Sequence, residues 1–204
     1  MYVHIKCVYL HVHTCKKFMI MKKTLLALAG AVVVASIFSF IPAKVVETYN
    51  VTATDSKVQF IGSKKGGFHN GSLAVKGGTV AVEGGKITGG KFVFDLNSIK
   101  TDAEKLDGHL KSPDFFDVAK NPEATFEITS VNYTSPTAVE VVGKLSLKGV
   151  TADVKFPAVV RSIDDKKLFV QANFNLDRTL FGINYGPGMV SNDVQVSTFL
   201  FASK

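Results

Sequence analysis

The sequence predicts an all-β domain, a sandwich or a barrel, with one short helical insertion. Three observations predict it. The first is a period of two. Phe92, Phe94 and Leu96 alternate with Lys91, Val93 and Asp95, and Leu168, Val170, Ala172, Phe174 and Leu176 alternate with Gln171, Asn173, Asn175 and Asp177. Such alternation marks strands with one buried and one wetter face. The second is spacing. Less regular runs at 57–63, 72–76, 79–83, 124–133, 138–147, 150–160 and 193–201 are separated by turn residues at Gly66-Gly67, Gly77-Gly78, Gly84-Gly85 and Asp164-Asp165. Eight or more strands so punctuated build a sandwich or barrel. The third is a single break in the pattern between about residues 102 and 120. Thr101-Asp102-Ala103-Glu104 reads as a capping box, in which the threonine hydroxyl and the glutamate carboxylate satisfy each other's free backbone N–H groups, so a helix is expected over 102–111. Ser112-Pro113 then offers a second N-cap with proline at the first helical position, opening a short turn through Phe115, Phe116 and Val118 that Asn121-Pro122 closes.

The 204 residues carry a net charge of +7, but the charge is unevenly placed. All 17 acidic residues follow Val46, and from Lys44 onward nineteen basic side chains face them, leaving that part at only +2. A basic stripe suited to nucleic acid is therefore not expected in the body. Both cysteines, Cys7 and Cys15, precede it, which excludes cysteine nucleophiles, thiolate zinc sites and disulfides there. Met21-Lys22-Lys23 followed by an uncharged run from Leu25 to Ile41 has the form of a secretory signal, with an uncleaved anchor as the alternative. Residues 1–20 do not suit such a signal. Translation is expected to start at Met21.

Candidate chemistry in the body is sparse. His69 and His109 are its two histidines, and without an H-x-x-x-H pair they make at best half a metal site. No G-x-S-x-G or phosphate loop occurs. Glu104, Asp107, Asp114 and Asp117 cluster around the helical insertion, where carboxylates favour helix first turns, although paired carboxylates can also perform glycoside hydrolysis. The chain has sixteen Phe and no Trp, and the thirteen Phe that follow Lys44 supply a large apolar lining. Phe115-Phe116 stands apart, because adjacent positions on a short helix point in different directions. One ring is expected under the helix and the other toward a cavity.

Asp107-Gly-His-Leu-Lys-Ser-Pro-Asp-Phe-Phe-Asp117, followed by Asn121-Pro-Glu-Ala-Thr-Phe126, resembles the central signature of the YceI-like polyisoprenoid-binding family. Tyr49-x-Val51 and Asp55-Ser56-Lys57-Val58-x-Phe60 resemble its opening strands, Gly143-Lys-Leu-Ser-Leu-Lys-Gly-Val-Thr151 its G-x-L-x-x-x-G-x-T strand pair, and Asp177-Arg178-x-x-Phe181-Gly182 its late turn. The resemblance implies a single antiparallel lipocalin-like barrel of about eight strands, exported to the periplasm or secreted, holding a long isoprenoid or fatty-acyl chain. Asp55 stands where members commonly carry a histidine, and the stretch Gly62 to Gly71 departs from their aromatic-bearing loop.

The expected layout is then an extension over 1–20, a signal peptide over 21–43 and the barrel domain over 44–204. Strand parity and motif position nominate Phe60, Phe92, Phe94, Phe115, Phe116, Phe126, Phe174 and Phe181 as lining residues. No catalytic residue, cofactor, metal or nucleic-acid partner is expected. The membrane is met only through an uncleaved N-terminal segment, and a homodimer is compatible with the sequence. Two other readings stay open. One is a periplasmic hydrolase or isomerase using His109 with Asp107 or Asp114. The other is a structural or stress-response envelope protein whose barrel is filled by its own side chains.

Overall fold

The computed structural model describes residues 45–204; the expectations for the extension and the signal segment lie outside the described residues. Nine strands form one antiparallel sheet: β1 Val46–Val51, β2 Lys57–Lys64, β3 Gly67–Glu83, β4 Lys86–Thr101, β5 Glu123–Tyr133, β6 Ala138–Leu147, β7 Val150–Ile163, β8 Lys167–Asp177 and β9 Val190–Ser203. One helix, α1 Glu104–Lys111, follows β4, and a 3₁₀ turn, Arg178–Phe181, follows β8. From β3 to β9 neighbours pair in sequence order, and β2 pairs with both β3 and β9, which closes the sheet into a barrel. Both β1 and β2 lie between β3 and β9: Asn50 pairs with Thr79 and Ser203, whereas Lys57 pairs with Ala74 and Phe199. They occupy one position end to end, so nine strands fill the eight positions of a closed antiparallel barrel. At the break between them Ser56 repairs the ladder. Its hydroxyl accepts from the Phe201 N–H at 3.0 Å and donates to the Phe201 carbonyl at 3.2 Å.

The interior follows strand parity. Phe92, Phe94 and Leu96 of β4 and Val170, Ala172, Phe174 and Leu176 of β8 all face inward. Gly66 and Gly84-Gly85 form the expected turns, with positive φ at each. Gly77-Gly78 does not. There β3 continues through the pair, and its register on β4 slips between Val75 and Gly77. The result is a bulge. A Cβ on Gly78 would lie 2.3 Å from the Lys91 carbonyl oxygen, so the backbones meet where a turn was expected. The bulge also reverses parity, and odd-numbered Leu73 and Val75 line the interior before it while even-numbered Val80 does so after it.

The helical insertion is present, but its start differs from the expected capping box. Ala103 is the N-cap and no side chain caps the helix. Thr101 instead ends β4 and reaches into the helix: its N–H and its hydroxyl donate to Asp107 Oδ1 at 2.6 and 2.8 Å, while Lys100 Nζ lies 3.0 Å from Oδ2. One helical turn after its start, α1 swings Asp107 back over the strand end, where its carboxylate takes the Thr101 and Lys100 donors. Ser112 likewise closes α1 rather than opening a second helix. It is the C-cap, extended as proline requires of its predecessor, and its hydroxyl donates to the His109 carbonyl at 2.8 Å. Residues 113–119 continue as turns.

Candidate functional site

Strands β2 to β9 and α1 surround a cavity of about 530 Å³ in the barrel interior, lined almost wholly by apolar side chains. That is within the size of ligand sites, roughly 300–1,000 Å³. Four rings run across its wall: Phe92 and Phe126 at 6.2 Å between centroids, Phe126 and Phe156 at 5.5 Å, and Phe156 and Phe174 at 4.2 Å. Two of the wall rings are seated on glycines of the neighbouring strand. A Cβ on Gly71 would fall 2.1 Å from Phe60 Cζ, and one on Gly143 would fall 2.5 Å from the Phe126 ring. The missing side chains make room for rings that lie flat against the wall, leaving space at the centre.

Phe60, Phe92, Phe94, Phe115, Phe116, Phe126 and Phe174 line this cavity. Phe181 is placed apart from it, fully buried in the 3₁₀ turn among the core residues. The expected division of labour between Phe115 and Phe116 does not hold, since both line the cavity. The fold ends α1 before them and carries them on turns, so they are not held to helical directions. Sequence reasoning passed over Phe156, which shares a face with Val154 and Ala158 but is followed by Pro157 in β7.

The cavity rim near the β2–β3 turn is polar. The His109 ring meets Phe115 and Tyr185 edge-on, at 4.9 and 4.7 Å, and its Nε2 is 3.4 Å from Asp114 Oδ2. His69 Nδ1 lies 2.7 Å from Asp102 Oδ1, a bond that holds the Asp102 carboxyl below the usual carboxylate range. Arg178, 5% exposed, ties down the segment after the 3₁₀ turn. Its guanidinium donates to the carbonyls of Ile183, Tyr185, Val190 and Ser191 at 2.6–3.2 Å. Tyr185, 44% exposed, brings the cavity lining to the surface. Three of the four acidic residues around α1 are engaged separately, Asp107 by Thr101 and Lys100, Asp114 by His109 and Asp117 by Lys120 at 3.1 Å. Among the described residues no group of three or more His, Cys, Asp or Glu is placed to hold a metal ion.

With the barrel and its cavity described, comparison with known proteins places the chain. The model of the YceI-like domain matches residues 49–201. The chain belongs to the YceI-like family. This YceI-like chain is 37% identical over 111 residues to a UPF0312 protein of Pseudomonas aeruginosa, a match covering 52% of the chain and 58% of that protein. A UPF0312 protein of Pseudomonas savastanoi pv. phaseolicola is 33% identical over 149 residues, 70% of this chain and 76% of that one. The chain thus spans little more than half the length of the P. aeruginosa relative. Two solved structures share the fold. BcnA of Burkholderia cenocepacia superposes with a TM-score of 0.66 at 20% identity, covering 74% of this chain and 99% of BcnA. A polyisoprenoid binding domain from Saccharophagus degradans superposes with a TM-score of 0.62 at 20% identity, covering 76% of this chain and 97% of that domain.

Proposed function

We propose that this protein is an exported, non-enzymatic carrier or sequestering protein that holds a long-chain isoprenoid or another amphiphilic lipid inside its barrel. The observation that carries the reading is the apolar cavity of about 530 Å³, where a filled barrel would have side chains. Burying each CH₂ of a ligand contributes about 0.8 kcal/mol, so ten carbons give a gross driving force near 8 kcal/mol. Ordering the chain removes several of these, which leaves an affinity of order micromolar. A polyisoprenoid binding domain of the same fold supports this ligand class. The basic start at Met21 and the apolar run to Ile41 support export to the periplasm or beyond.

Native mass spectrometry of the protein purified from the cell envelope tests the reading. The expected spectrum carries one copurified lipid per barrel. A bare polypeptide mass, unchanged after incubation with prenols and fatty acids and with no rise in Tm, overturns it. Export is checked by osmotic shock, which should release a chain beginning between about residues 37 and 47; recovery with membranes and Met21 intact favours the anchor. A second reading draws on His109, which sits at the cavity rim within 3.4 Å of Asp114. It makes the protein a hydrolase or isomerase, and loss of a turnover activity in His109→Ala at unchanged stability would establish it.

A further inference from the structure

Apart from Tyr185, the ionisable side chains that line the cavity are all basic. Lys57, Lys64, His69, His109 and Arg178 are joined by Tyr185, and no Asp or Glu contributes to the lining. Apart from Lys57, which sits at the break between β1 and β2, they gather at one rim. Lys64 pairs with Val190, whose carbonyl Arg178 grips; Arg178 also grips the Tyr185 carbonyl, and the Tyr185 ring lies against His109. His69 is in register with Gly62, two residues from Lys64. Asp102 and Asp114 contact the two histidines without reaching the cavity lining.

Arg178 adds a second, independent observation. A guanidinium has five N–H donors, and four hydrogen bonds to carbonyls leave one at Nη1 uncommitted. Buried charges are ordinarily paired with an opposite charge. Among the described residues no carboxylate lies within ion-pair distance of Arg178: the neighbouring Asp177 accepts instead from the Thr179 N–H and hydroxyl, at 2.8 and 2.6 Å. Burial accordingly lowers the pKa of the guanidinium. A buried guanidinium with no carboxylate in contact, on which Asp177 acts only from beyond ion-pair distance, beside an apolar cavity and a basic rim, is half of a direct ion pair.

We propose that the ligand supplies the other half: the amphiphile bears an anionic head group, a carboxylate or a phosphate monoester, seated at the rim formed by Arg178, His109, His69 and Lys64. The inference rests on the barrel being a lipid carrier and narrows it to a charged class of lipid. It involves no covalent step.

Displacement of a fluorescent lipid probe by three ligands of one chain length tests it: dodecanoic acid, dodecan-1-ol and dodecylamine, at pH 8 and low salt. The acid is expected to bind at least tenfold more tightly than the alcohol, and the amine more weakly than either. Farnesyl phosphate against farnesol repeats the comparison for a phosphate, and the larger of the two ratios names the head group. Arg178 holds its segment in place, so Arg178→Met can unfold the rim; Lys64→Gln combined with His109→Gln leaves that clasp intact. In this double variant the preference for acid over alcohol, taken as the ratio of the two affinities, should fall severalfold. Equal binding of acid, alcohol and amine overturns the anionic head group and leaves the carrier standing. A preference for acid that survives both the double variant and a folded Arg178→Met overturns its placement at this rim. Failure of every ligand to bind removes the carrier reading as well.

Discussion

Asp107 is only 6% exposed, yet it stays charged because the end of β4 feeds it three donors, the Thr101 N–H, the Thr101 hydroxyl and Lys100 Nζ. The Thr101 hydroxyl is the main cause of its lowered pKa, followed by Lys100. A carboxyl whose folded pKa lies below the ordinary value of 3.8 stabilises the fold at pH values above 3.8 and loses that contribution as pH falls through the folded value. Wild type should therefore resist urea better than Asp107→Asn at pH 7, and the two urea midpoints should converge as the pH falls below 3.8 and through the folded value. Parallel curves down to acid would show that the contact does not depend on charge. Thr101→Ala should cost about 1.5–3 kcal/mol, the range for a hydrogen bond to a charged group, and Thr101→Ser should recover most of it. A helix cap would give a similar cost for Thr101→Ala alone. The separating observation is that Thr101→Ala should have little further effect in the Asp107→Asn background.

Among the elements, the strands paired with glycine show what sequence can and cannot convey. Parity in β4 and β8 is legible because Phe92 to Leu96 and Leu168 to Leu176 alternate without interruption. Gly77-Gly78 and Gly84-Gly85 look alike in the chain, yet the first is a bulge and the second a turn; the difference lies in the Lys91 carbonyl that crowds Gly78, a contact between strands. Phe156 lies within the run at 150–160 that the sequence marks as a strand, but parity alone does not say which face of that strand turns inward. The rim is the least legible part. Arg178 acquires its meaning only when the chain returns and presents the carbonyls of residues 183 to 191. Cross-strand seating of rings on glycine is testable. Gly71→Ala drives a methyl into the Phe60 ring and should destabilise the protein by about 1–3 kcal/mol, as overpacking does. Combining it with Phe60→Leu should restore part of that loss, and urea denaturation of the four proteins in the cycle would show the coupling.

At the scale of the molecule, the open interior trades packing for capacity. Ala172 lines the cavity and is 3% exposed, so a larger side chain there grows into free space. Ala172→Phe should raise the Tm of the lipid-free protein, by burial worth about 1 kcal/mol after the cost of repacking. It should also weaken lipid binding at least tenfold in titration, whereas a barrel already filled by its own side chains would lose stability on the same change. Ligand at one hundred times its Kd should stabilise the wild type by about 2.7 kcal/mol, read as a rise in Tm. Closure of the eight positions has a kinetic corollary. A wall without a free edge offers no sideways exit, and the rim around Tyr185 is bordered by a segment that one arginine fastens at four points. Residence time then measures how often that fastening opens rather than how tightly the chain is gripped. Stopped-flow release of ligands from ten to sixteen carbons should give nearly the same rate constant, with their differences in affinity carried by the rate of entry.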